Sequence, residues 1–152
     1  MSSQDTQAGP LAQHVESLRS GDRKTRRQAL EALERCGPPD ADLAPALAQA
    51  LLHRVLGVER IAGALGRIGP GAAVAIPALL GLLEEPVASR RVAASGALAD
   101  IGEPAAERAV PALIRVLARE KDPSVREQVV QDLGRFAERS TEARSALARP
   151  AD

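Results

Sequence analysis

The stretch ALGRIGPGAAVAIPALLGLL, Ala64 to Leu83, decides the fold. Its first half, ALGRIGP (Ala64 to Pro70), returns as ALADIGEP (Ala97 to Pro104) and DLGRFAE (Asp132 to Glu138), and in weaker form as ALERCGP (Ala32 to Pro38). The anchor leucines Leu33, Leu65, Leu98 and Leu133 are 32, 33 and 35 residues apart. The second half, IPALLGLL (Ile76 to Leu83), returns as APALAQALL (Ala44 to Leu52) and VPALIRVL (Val110 to Leu117). Its prolines Pro45, Pro77 and Pro111 are 32 and 34 apart. Two landmarks with one period define a repeat, and a repeat outranks every local signal in fixing the fold.

Each unit reads as two helices, A and B. Around the anchor Leu, apolar residues recur four before and three after, the spacing of one helix face. These columns hold Ala29, Leu33, Cys36; Ile61, Leu65, Ile68; Ala94, Leu98, Ile101; and Val129, Leu133, Phe136. Gly37, Gly69 and Gly102 follow in three copies and Ala137 in the fourth. Glycine there stops helix A, because it takes a left-handed conformation without a Cβ clash. In helix B the Pro lies in the first turn, where its missing N–H costs no intrahelical bond. The predicted apolar face of helix B runs Ile76, Leu79, Leu80, Leu83 and Val110, Leu113, Ile114, Leu117. GPGAA (Gly69 to Ala73) reads as the turn between the helices.

Composition agrees. Of 152 residues, 30 are Ala; there is one Phe, no Tyr, no Trp and no Asn. A chain of Ala, Leu, Arg and Glu without β-branched or aromatic runs is helical. The 20 basic residues, 18 of them Arg, balance 20 acidic ones. Zero net charge argues against a duplex-binding protein or a polybasic membrane anchor. The single Cys36 excludes an internal disulfide framework. No apolar run is expected to reach the roughly 18 residues of a membrane span, and MSSQDTQAG lacks the regions of a signal peptide. A cytoplasmic location is the expectation.

DPSVREQVVQDLGRF (Asp122 to Phe136) and GRIGPGAAVAIPALLGLL (Gly66 to Leu83) resemble HEAT repeats, in particular the short bacterial type named after phycobilisome lyases. The resemblance covers roughly 22–149. The Asp-Pro-x-Val-Arg start of helix A is complete only at Asp122 to Arg126; its Val column elsewhere holds Thr25, Gly57 and Arg90, and its Arg column Arg26, Val58 and Arg91. The resemblance implies an all-α, right-handed, armadillo-like α-solenoid of about four helix pairs, with helix A convex and helix B concave. The pairs are expected at about 22–36 with 41–54, 57–69 with 72–85, 88–101 with 105–119, and 122–137 with 140–149. An extra helix over Pro10 to Leu18 covers the first pair. The single domain is expected at 10–149, between disordered tails 1–9 and 150–152. Arg144 falls in the column of Ile76 and Val110, which suits a polar terminal cap.

Solenoids bind along an extended concave surface. The stripe of helix B opposite its apolar face gives four columns: Asp42, Val74, Arg108, Glu142; Ala46, Ala78, Ala112, Ala146; Gln49, Gly81, Arg115, Arg149; and His53, Glu85, Arg119. The alanine column reads as a smooth floor on which another backbone can rest. The candidate protein-binding residues are therefore Gln49, His53, Val74, Ala78, Gly81, Arg108, Ala112, Arg115 and Arg119. Their partner would carry an apolar stripe and an acidic flank. The opposing reading is that the alanines pack helices B together and the arginines are merely solvated. A second basic patch is Arg19, Arg23, Lys24, Arg26 and Arg27, either a dock for an acidic segment or phosphate or a solvated face with Asp22 as N-cap. Arg90 is expected to snorkel.

Chemistry is sparse. His14, His53 and Cys36 fall in separate segments with no metal-ligand spacing. Cys36 sits in the core column of Ile68, Ile101 and Phe136. No catalytic residue, metal site or cofactor is expected. The function expected is a non-catalytic scaffold or adaptor for a protein segment, as a monomer or weak dimer. Alternatives are a lyase-like accessory protein, since the resembling repeats occur in bilin lyases, and a nucleic-acid-binding solenoid similar to the HEAT-like DNA glycosylases. Against the last stands the lack of aromatic stacking platforms.

Overall fold

The computed structural model describes residues 10–35, 41–53, 57–139 and 141–148. The expected tails, Cys36 and Arg149 lie outside them. The described residues form nine α-helices and no strand: α1 (Pro10–Ser17), α2 (Arg23–Arg35), α3 (Ala44–Leu52), α4 (Val58–Ile68), α5 (Ile76–Leu82), α6 (Ala88–Ile101), α7 (Glu103–Arg119), α8 (Pro123–Arg139) and α9 (Thr141–Ala148). Short 3₁₀ segments, Ala41–Leu43 and Gly69–Ala75, lead into α3 and α5. The even-numbered helices from α2 to α8 are the A helices and the odd ones from α3 to α9 the B helices. Helices A stack in order, α4 on α6 and α6 on α8 most extensively, while α2 touches α4 only lightly. Helices B form the second layer, and α1 covers α2 at the open end. The fold is an all-α solenoid.

The anchor columns build the core between the layers. Leu33, Ile61, Leu65, Ala94, Leu98, Ile101, Val129, Leu133 and Phe136 are all buried, and only Ile68 is half-exposed. Gly69 (φ 74°, ψ −140°) and Gly102 (φ 78°, ψ −132°) end α4 and α6 in nearly one conformation. An L side chain there is strained. Where the column holds Ala137, α8 does not stop; it runs on to Arg139, past the expected end. The apolar run from Val58 to Leu82 has the length and composition of a membrane span. It breaks at Gly69, and its larger side chains, Ile61, Leu65, Ile76 and Leu79, line the core.

Three features of helix B differ from expectation. The GPGAA turn is built as 3₁₀ helix: it belongs to Gly69–Ala75, which kinks at Ala72 (φ −94°, ψ 16°) and continues directly into α5. In the third unit helix B starts at Glu103, so Pro111 is an interior residue. Its lost hydrogen bond would have gone to the Glu107 carbonyl; both residues are solvent-exposed, where water can take the donor's place. Finally, the buried face is turned: Ile114 is 38% exposed, whereas Ala78 and Ala112 keep only 9% and 6% exposure and Leu82 and Val116 are buried. A mid-array helix B is flanked on both sides, α5 by α3 and α7, and this widens its buried arc.

Candidate functional site

The B-helix layer carries a shallow cleft of about 400 Å³. Pro45, Ala46, Ala48, Gln49 and Leu52 of α3 form one wall; Val74 of the 3₁₀ segment with Pro77 and Ala78 of α5 form the other. The cleft exists because neither helix opens on bulk. Proline fixes the first turn of each, and alanines face across the gap. Leu52 and Val74 stand at its rim, 61% and 55% exposed, the two most exposed large aliphatics among the described residues of this layer.

The structure thus brings Gln49, Val74 and Ala78 together. The alanine column is not an exposed floor, however. Ala46 is open, but Ala78 and Ala112 are closed in by the turned buried face described above. Gly81, Arg108 and Arg115 are exposed, the arginines one helix farther along on α7, in the registers of Val74 and Gly81. His53 is exposed at the end of α3. The side chains of Glu142 and Ala146 lie outside the described residues.

Arg119 is already engaged. Its Nη1 lies 2.7 Å from Glu84 Oε2 and its Nη2 donates to the Leu83 carbonyl at 3.2 Å. The bond to Arg119 holds the Glu84 carboxyl below its ordinary pKa, and Glu84 in turn raises that of Arg119. Beside them, Arg91 makes a two-pronged bond to Glu120, Nε to Oε2 at 2.7 Å and Nη2 to Oε1 at 3.1 Å. Glu120 Oε1 also accepts the Lys121 and Asp122 amides, and its pKa is lowered, first by Arg91 and then by these amides. Leu83, Glu84, Glu85, Pro86, Arg91, Arg119 and Glu120 ring a second cleft of about 330 Å³; Glu84 and Glu120 are paired with its two arginines, and Glu85 with Arg90 beside it.

The basic patch divides in the same way. Arg19 lies near Glu16 (3.9 Å) and Arg27 bonds Glu31 (3.0 Å). Arg26 donates from Nη1 to the Ser20 carbonyl at 2.5 Å. Asp22 caps α2 by accepting the Lys24 and Thr25 amides and the Thr25 hydroxyl, which lower its pKa. Arg23 and Lys24 point outward. Arg90 does not merely snorkel: it reaches Glu85 at 3.3 Å and lies 4.0 Å from Glu59 of the preceding unit.

Sequence reasoning missed the use of the Arg column. Arg91 donates to the Glu85 carbonyl and Arg126 to the Glu120 carbonyl, each six residues back, as Arg26 does to Ser20. One side chain in three copies clamps the loop that enters its own helix A. The repetition of that Arg in the repeat start was the available signal. No three His, Cys, Asp or Glu side chains among the described residues gather as a metal site.

Comparison with known proteins places this geometry. The family model for HEAT repeats matches residues 11–99. No curated protein sequence matches the chain. The crystal structure of an engineered protein superposes with a TM-score of 0.68 at 24% identity, over 88% of this chain and 66% of the other. The chain therefore spans just under two thirds of that neighbour's length, and the likeness is one of fold.

Proposed function

The chain belongs to the HEAT-repeat family, and on that footing we propose that it is a non-catalytic protein-interaction module whose B-helix layer seats a helical segment of a partner. One observation carries the reading: Leu52 and Val74 are exposed on either side of an apolar cleft, while most other large aliphatics among the described residues are covered. Such a cleft suits the apolar stripe of an amphipathic helix. Arg108 and Arg115, which make no ion pair among the described residues, favour an acidic flank on that helix. Arg119 contributes less, since Glu84 neutralises it. A cytoplasmic scaffold or adaptor is the setting in which such a module works.

The test is pull-down from source lysate, with wild type beside Leu52→Glu/Val74→Glu and Arg108→Glu/Arg115→Glu. A protein retained by wild type and lost with both variants, at unchanged melting temperature, supports the reading. A protein retained by all three baits places the site elsewhere.

A further inference from the structure

Within the array, each A helix offers one seam to the next A helix. Two columns make it. Three residues before the anchor Leu stand Leu30, Ala62 and Ser95, buried to 5%, 0% and 0% exposure. One residue after it stand Gly66 and Ala99, also buried. The approach is close: a Cβ on Gly66 would lie 3.3 Å from the Ala97 Cα of the following A helix. In α8 the same two columns hold Val130 and Gly134. Val130 is 55% exposed, and a Cβ on Gly134 would meet nothing within 4 Å. The described molecule therefore ends in a seam shaped for a helix and left open.

We infer that this seam is a self-association surface, on which α8 of a second copy lies antiparallel to α8 of the first. The two ends of the array are unlike. At the other end α1 already covers α2 and turns Gln13, Glu16 and Arg19 to solvent, so among the described residues that end offers a head-to-tail stack no apolar face for α8. Pairing of like with like remains. In a two-fold antiparallel arrangement with Val130 opposite Gly134, every contact occurs twice. That register sets Arg126 four residues to one side and Glu138 four residues to the other, so Arg126 of each copy faces Glu138 of the other. Four-residue steps keep all of them on one helix face. Both are exposed, and Arg126, whose Nη1 donates to the Leu117 and Glu120 carbonyls at 2.6 and 3.1 Å, keeps Nε and Nη2 for a carboxylate. A parallel arrangement with like residues opposed would instead set Arg126 against Arg126. One helix pair is small beside a standard interface of about 1,600 Å², so the dimer is a weak one.

Sedimentation equilibrium of the full chain, from low micromolar to near-millimolar loading, tests this. Wild type is expected to shift from monomer to dimer, and to stop there. Val130→Asp and Glu138→Arg are expected to stay monomeric at every loading with unchanged melting curves, because both positions are exposed. Glu138→Arg places like charges opposite Arg126 and leaves the apolar seam intact, so it reports the register separately from the seam. Monomeric wild type at all loadings overturns the proposal and leaves the seam to a different chain. A dimer indifferent to both variants overturns this face. Growth beyond the dimer overturns the two-fold arrangement.

Discussion

Ser95 Oγ donates to Asp132 Oδ2 at 2.6 Å across the junction of α6 and α8, and neither residue has any exposed surface. Asp132 also accepts from Gln128 Nε2 at 3.3 Å and from Arg135 Nη1 at 3.3 Å, and Arg135 reaches on to Asp100 of α6, which raises its pKa. At the preceding junction the two columns hold Ala62 and Ala97, which need no such bonds. The fourth unit is thus joined to the third by a buried polar network, the second to the third by close packing.

Removing both members of the Ser95–Asp132 pair should therefore cost less than the two single removals added together. Ser95→Ala leaves a buried carboxylate short of a partner and should cost about 1 to 3 kcal/mol. Ser95→Ala/Asp132→Ala recreates the alanine junction and should cost less than the sum of the two single changes. Urea titration of the four proteins in the cycle checks this. Additive losses would mean that the two groups do not act on each other.

Glycines on the A helices should answer substitution with opposite signs. Gly66→Ala puts a methyl 2.7 Å from Asp100 Oδ2 and 3.3 Å from the Ala97 Cα, so the Asp100 side chain must swing away from its Arg135 partner and α6 must give by a few tenths of an ångström; a loss of about 1 to 3 kcal/mol is expected. At Gly63 nothing lies within 4 Å. Gly63→Ala should gain roughly 0.5 to 1 kcal/mol from helix propensity alone. Thermal melts of the pair decide it.

Acid should weaken the junction that Glu120 holds. Its folded pKa lies below the ordinary 4.5, with the bond from Arg91 as the first cause. Its contribution is thus complete above that ordinary value and is lost as pH falls through the folded one. Glu120→Gln should lower stability at neutral pH by about 1 to 2 kcal/mol and flatten the fall of melting temperature below pH 4.5. Equal slopes for both proteins in that acid range would show that Glu120 is not what titrates.

Leu98→Asp tests the register itself. Leu98 is wholly buried at the centre of the array, and a carboxylate there has no partner. Helical circular dichroism should be largely lost at room temperature; a wild-type melt would refute the assignment of the anchor column.

The A helices were legible residue by residue because Leu, Gly and the apolar columns record a single constraint, burial between two layers. Even Ala137 was informative, since the one copy without glycine is the one whose helix runs on. Helix B was legible in position but not in rotation. Alanine at Ala78 and Ala112 fits a buried arc and an exposed floor equally well, and only the flanking helices decide between them. The ion pairs of Arg91 with Glu120 and Arg119 with Glu84 join residues 29 and 35 apart in sequence. No local pattern specifies such partners, although the repeat length brings them into reach. The cleft at Leu52 and Val74 was half visible, because Val74 was marked by its column while Leu52, seven residues after Pro45, falls outside both the predicted apolar face and the candidate columns.

The arginine clamp has a mechanical corollary. Three units fasten their entry loops with Arg26, Arg91 and Arg126, but the second carries Val58 in that place, and its A helix is the one lightly seated on its predecessor. An array pulled from its two ends behaves as springs in series, and extension gathers in the softest. Among the described residues the lightest contact between successive A helices is that of α2 with α4, so tension is expected to open that seam first, with α3 still holding the first unit to α4 and the 3₁₀ segment.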